Sequence, residues 1–180
     1  FPVNREGRIH PTDSLNAVRF REIIDRELGT NLLRHVPASV SSCRGEKFSS
    51  TMLTDGDWDS YWATPDGVTT GEVEFRLKAP TRINRLMLQE YIPLGQRVKQ
   101  FSVQALVGRK WRDIDCGEET TTVGYKRILR FRTVEAEGLR IRFEDARGPL
   151  CINNIAAFYG GPESERTAAE ASGGEFASVK

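Results

Sequence analysis

The sequence predicts an all-β protein: an antiparallel β-sandwich preceded by one N-terminal helix. Three observations carry this. From about residue 37, apolar residues recur at every second position, the period of a strand rather than a helix. Each run keeps a polar face, as an antiparallel sheet with one side in water does, whereas buried parallel strands read as continuously apolar. Turn-forming groups, among them TPDG, VGRK and EAEG, separate the runs.

The elements follow in order. After FPVNREGRIHP comes a helical stretch with Thr12 or Asp13 as N-cap, Leu15, Val18, Ile23, Ile24 and Leu28 at helical spacing, and Gly29 as the stop. One helix cannot bury its own stripe, so it must lie against something else, either the following domain or a preceding one. Val73, Phe75 and Leu77 then alternate with Glu72, Glu74 and Arg76. The runs Leu86/Leu88, Phe101 to Val107, Leu129/Phe131, Leu139 to Phe143 and Ile155 to Tyr159 repeat the pattern. Seven or eight short strands result. The expected organisation is a leader over 1–36, a sandwich over 37–161 and a flexible tail over 162–180, where PESERTAAEASGGEFASVK lacks the apolar content to order itself.

The totals narrow the function. With 26 basic and 25 acidic residues there is no excess of charge to recruit a polyanion, which argues against nucleic acid as partner. No apolar run approaches the roughly 20 residues of a membrane span. Phe1 is not an initiator methionine and no signal peptide opens the chain, so a fragment or processed product is expected. Cys43, Cys116 and Cys151 show no CxxC spacing, and with two histidines a structural zinc site is disfavoured. Buried thiols are expected, with a Cys43–Cys151 disulfide as the alternative.

Two stretches carry chemistry. In DGDWDSYW, Asp55, Asp57 and Asp59 occupy alternate positions, a carboxylate set that suits calcium or, equally, a solvated acidic turn. It is no EF-hand, because Ser60 stands where that loop needs glycine. Trp58, lodged between aspartates, should reach solvent, where an aromatic can stack on a sugar ring. Trp62 should be core, and Trp111 should pack between the sheets. The other stretch, LQEYIPLGQRVKQFSVQ, places Gln89, Glu90, Tyr91, Gln96 and Arg97 between two strands, with Pro93 and Gly95 fixing the loop and a Glu90–Arg97 pair bridging it. Catalysis is not expected: His10 and His35 lie in the leader, and Asp55 and Asp57 share one turn rather than facing each other across a cleft. Arg130 and Arg132 in RFR, and Arg140 and Arg142 in RIRF, read as outward residues of two neighbouring strands, a solvated sheet face with cross-strand ion pairs.

LTDGD followed by YW, then LQEYIPLGQRVKQFSV, GYKRILRF, LRIRF and IAAFYG resemble the discoidin-type, galactose-binding-like sandwich, a jelly roll. Within it the sequence is most similar to the domain appended to bacterial α-L-fucosidases of glycoside hydrolase family 29, and NREGRIHPTDSLNAV resembles the final turn and helix of their catalytic (β/α)8 barrel. The resemblance implies a non-catalytic accessory domain, secreted or periplasmic, partnered by the barrel of the same polypeptide. It makes Trp58, Glu90, Tyr91, Gln96 and Arg97 candidates for binding fucosylated or galactosylated glycans or for docking the barrel. The apolar Ile92 and Leu94 favour docking. It also implies a structural calcium held by Asp55, Asp57 and Ser60, with Asn154 of the last strand replacing the usual glutamate by a weaker, neutral ligand. The alternative is a free-standing lectin-like module for galactose-type glycans.

Overall fold

The computed structural model describes residues 3–162, so the tail expected over 162–180 lies, but for Pro162, outside the described residues. One helix, α1 (Pro11–Leu28), precedes seven strands: β1 (Ala38–Val40), β2 (Trp62–Ala63), β3 (Gly71–Glu90), β4 (Val98–Val107), β5 (Lys110–Asp113), β6 (Arg127–Ala146) and β7 (Cys151–Phe158). The strands are hydrogen-bonded in the order β2-β7-β3-β6-β4-β5, with β1 on β3, and every pairing is antiparallel.

Two 20-residue strands make the sandwich. The first half of β3 pairs with β1 and with the second half of β6, which also pairs with β4. The second half of β3 pairs with the first half of β6 and with β7. Both long strands therefore serve both layers, and the change of layer falls where their register breaks between Arg76 and Thr81. Pro80, which has no N–H for a ladder, sits in that break. Opposite it, Gly138 is needed because a Cβ there would stand 2.6 Å from the Phe75 carbonyl oxygen. EAEG, expected as a turn, thus lies within one continuous strand, and the RFR and RIRF runs share that strand instead of occupying neighbours. TPDG and VGRK do form turns, the latter with Gly108 at φ 55° and Arg109 at φ 65°, matching a two-residue hairpin between β4 and β5.

The core between the layers is built from the period-two residues: Val73, Phe75, Leu86, Leu88, Phe101, Leu139, Ile141 and Ile155 are all buried. Trp62 is fully buried with its indole N–H donating to the Ser42 carbonyl at 2.9 Å. Trp111 departs from expectation: it lies on the outer face, its ring covered by the Arg140 guanidinium at 4.0 Å and by Arg76 at 5.1 Å. Its carbon skeleton is shielded by charged groups rather than by a second sheet.

The leader is joined to this sandwich unexpectedly. His10 is the N-cap, its Nδ1 accepting from the Thr12 N–H, because Pro11 at the first helical position leaves the cap two residues earlier than Thr12. Most apolar side chains of α1 stay uncovered: Leu15, Val18, Phe20 and Ile23 are 40–65% exposed, while Ile24 and Leu28 are half-buried. Glu27 is the buried residue of the helix, and its carboxylate meets Arg85, itself 2% exposed, at 3.2 Å and Arg130 at 3.4 Å. Past the helix, Leu32 bonds Ala157 of β7 through its backbone, Asn31 Oδ1 accepts from the Ala157 N–H, and Leu33 is fully buried in the core. Packing of the sandwich therefore begins inside the segment expected to be leader, before residue 37.

Candidate functional site

The chemistry-bearing stretches converge on one rim, formed by the acidic loop before β2, the loop after β3, residues 122–126, and the residues entering β7. Its centre is Glu90, the last residue of β3 and 3% exposed. Glu90 Oε1 accepts from the backbone N–H groups of Arg97 and Val98 at 2.7 and 2.9 Å, and Oε2 accepts from the Gly124 N–H at 2.7 Å. Three backbone donors on one carboxylate stabilise its charge without a cation. The expected Glu90–Arg97 side-chain pair does not form. The Arg97 guanidinium instead donates to the carbonyls of Leu94 and Pro149 and to Cys151 Sγ. The Leu94 and Pro149 carbonyls take its N–H groups, while backbone N–H groups engage both oxygens of the Glu90 carboxylate.

Gln89, 1% exposed, accepts from Asn154 Nδ2 and donates to the Tyr125 carbonyl. Tyr91 stacks on Tyr61 with ring centroids 4.3 Å apart, and Tyr61 leans on Phe48. Gln96 lies exposed beside Gly124. Of the predicted set, then, Glu90, Tyr91 and Arg97 build the loop, whereas Gln96 and Trp58 face solvent.

The acidic loop is closed by its own hydrogen bonds. Asp55 Oδ1 accepts from the Asp57 N–H at 2.9 Å and Oδ2 from the Ser60 hydroxyl at 2.7 Å; Asp57 Oδ1 accepts from the Asp59 N–H at 3.0 Å. Gly56, at φ +81°, turns the chain so that these bonds can form. The last-strand residue that reaches this loop is Asn153, not Asn154, whose amide is turned to Gln89 by the register of β3 with β7. Asn153 Nδ2 donates to the carbonyls of Asp57, Trp58 and Ser60 at 3.1, 3.2 and 2.7 Å. The expected calcium ligands therefore do not fit a cation: the Asp55 carboxylate is engaged within the loop, and an amide nitrogen stands among the carbonyls. Among the described residues no three His, Cys, Asp or Glu side chains cluster in metal-binding fashion.

The exposed part of the rim is aromatic. Trp58 is 59% exposed and Tyr125 64% exposed, and their rings lie nearly parallel, 18° apart, with centroids 6.5 Å apart. Lys126 Nζ sits 5.7 Å from the Trp58 ring centroid. A small cleft between Trp58, Tyr91, Ile92, Pro93 and Tyr125 opens beside them. Tyr125 and Lys126 are not apparent in the sequence as partners of Trp58, because a long stretch of chain separates them and only the fold unites them.

The remaining features are structural. Arg140 pairs with Glu74 and Glu72, and Arg142 with Glu72, so this stretch of the basic face is neutralised across strands, as expected. All three cysteines are free thiols here, so no Cys43–Cys151 bridge is formed; Cys116 and Cys151 are buried as expected, whereas Cys43 is exposed. Burial, with Glu118 and Asp115 adding to it, pushes the Cys116 thiol up to about 11. No described helix is long and apolar enough to cross a membrane.

Residues 37–158 match the model of the F5/8 type C domain. The chain belongs to that family. This F5/8 type C domain is also 32% identical over 161 residues to a protein of Oryza sativa subsp. japonica assigned as α-L-fucosidase 1, a match covering 87% of this chain and 31% of that protein. It is 30% identical to α-L-fucosidase 1 of Arabidopsis thaliana, over 87% of this chain and 32% of that protein. Among solved structures it superposes, with TM-score 0.81 and 32% identity, on a Bacteroides thetaiotaomicron protein assigned as an α-L-fucosidase, covering 90% of this chain and 36% of that one. A glycoside hydrolase family 29 fucosidase of Ruminococcus gnavus gives TM-score 0.76 at 27% identity, over 91% of this chain and 33% of that one. The domain spans about a third of the length of these relatives, and the matches take in more of it than residues 37–158 supply.

Proposed function

We propose that this F5/8 type C domain is the non-catalytic accessory domain of an α-L-fucosidase, docked through its leader helix on the catalytic domain of the same polypeptide. The observation that carries the reading is α1 itself. A soluble helix normally turns its apolar stripe inward, yet here Leu15, Val18, Phe20 and Ile23 are left uncovered by the sandwich while Glu27 fastens the end of the helix to it. Likeness to fucosidases that reaches beyond the sandwich supports a partner in the same chain. The stiff rim loop, with Ile92 37% and Leu94 41% exposed, offers a second apolar contact. Assay of the isolated chain on an aryl α-L-fucoside should give no turnover; turnover removed by substituting Asp55 or Asp57 would overturn the reading.

A second role is favoured by the Trp58–Tyr125 pair: weak capture of a fucosylated or galactosylated glycan on the exposed aromatic faces. Calorimetric titration with fucose, galactose and N-acetylgalactosamine should give dissociation constants of about 1 mM or weaker, as a shallow contact supplies only about 4 kcal/mol. Submicromolar affinity would instead make the domain a dedicated lectin.

A further inference from the structure

We infer that the Asn153 side-chain amide takes the place of a bound cation in this rim, so that the acidic loop is locked to the last strand without metal. Three backbone carbonyls, of Asp57, Trp58 and Ser60, converge on a single atom, Asn153 Nδ2, at 2.7–3.2 Å. Carbonyl oxygens that point at one another repel unless something positive lies between them. In a protein that something is a hydrogen-bond donor or a cation. Here the donor is covalently anchored in β7, 6% exposed, between Ile152 and Asn154. Its two N–H bonds cannot align ideally with three acceptors, so at least one contact is bifurcated, as around a small cation.

The surrounding groups agree with this assignment. The Asp55 carboxylate is directed to the Asp57 N–H and the Ser60 hydroxyl, and Asp57 Oδ1 to the Asp59 N–H. None of these bonds points a free carboxylate into the cage. The same loop carries Trp58 at its apex, and the Trp58 carbonyl is one of the three acceptors, so the tether also sets the position of the exposed aromatic. The inference is independent of the fucosidase reading, since it concerns only bonds within the sandwich.

Thermal unfolding of the whole chain, in EDTA and in millimolar calcium, tests it together with three forms of position 153. For the natural protein the melting temperature should be the same in both buffers, and terbium should show no luminescence sensitised through Trp58. N153A should melt roughly 4–8 °C lower, equally in both buffers, because it loses the donor on which three converging carbonyls depend. N153D should be destabilised in EDTA, where its carboxylate faces the carbonyls, and should regain stability in calcium as an oxygen cage is completed. A calcium-dependent rise for the natural protein would overturn the inference, as it would mean that the amide presents its oxygen to a metal. Calcium rescue of N153A, or no rescue of a folded N153D, would also overturn it. Should N153D fail to fold, the terbium and EDTA measurements on the natural protein still decide the matter.

Discussion

At the residue scale the rim turns on side chains that answer backbone groups. Glu90 gathers three N–H groups from two segments, Arg97–Val98 and Gly124, so it fixes both loops at once. Replacing it by Gln removes the charge from those bonds and turns amide hydrogens toward backbone donors. Glu90→Gln should therefore cost about 2–3 kcal/mol of stability, read as a lower denaturant midpoint at unchanged slope. Nothing in the residues around Glu90 tells it apart from a solvent-facing sugar contact. A glutamate at a strand end is ambiguous until the fold says which backbone donors surround it, whereas Trp62 is legible because its neighbours set a period of two. Glu74 gives a prediction about acid. Burial raises its carboxyl, but hydrogen bonds and charge from Arg140 and Arg76 outweigh that and hold it below the ordinary range. A depressed folded-state value means that stability is fully present above the unfolded carboxylate's pKa and is lost as pH falls through the folded one. Melting temperature should thus decline below about pH 4, and Glu74→Gln should weaken that decline. Thiol chemistry follows burial: with Cys116 held protonated and Cys151 raised by burial, alkylation of the native protein should label Cys43 first, as peptide mass mapping would show.

At the element scale the long strands and the leader helix carry the account. The alternation of apolar residues locates both halves of β3 and of β6, but not their continuity. Gly138 looks like a turn in sequence because the same residue serves tight turns and close backbone approaches. Only the 2.6 Å that would separate a Cβ at this position from the Phe75 carbonyl oxygen distinguishes them here, and Gly138→Ala should force the two strands apart at the corner. The helix is the reverse case. Its existence is plain from spacing, while its orientation is not, because an apolar stripe says only that something covers it. The bond to the sandwich is ionic. Arg85 is 2% exposed, its charge disfavoured by burial and restored chiefly by Glu27. Removing the carboxylate leaves a buried guanidinium without its counter-ion, so Glu27→Ala should destabilise by about 3–5 kcal/mol. Most of that loss should vanish in an Arg85→Met background, a double-mutant comparison that separates pairing from helix propensity. Leu33→Ala should cost about 2–5 kcal/mol, since the chain leaving the helix is already core.

At the scale of the whole molecule, a two-layer sandwich presents a rim at one end and a helix with an uncovered apolar face. The sandwich class is legible because one wet face per strand leaves a period that survives in sequence. The rim is legible only as a set of polar and aromatic residues, since the pairing of Trp58 with Tyr125 and of Asn153 with the acidic loop depends on contacts between distant segments. The central claim is that α1 docks on a catalytic domain in the same polypeptide. Amide hydrogen exchange, compared between the chain alone and a longer polypeptide in which an α-L-fucosidase catalytic domain precedes it, tests this most directly. Residues 11–28 should exchange markedly more slowly in the longer polypeptide, with the interior strands β3 and β6 unchanged. Equal exchange of that helix in both forms would contradict it.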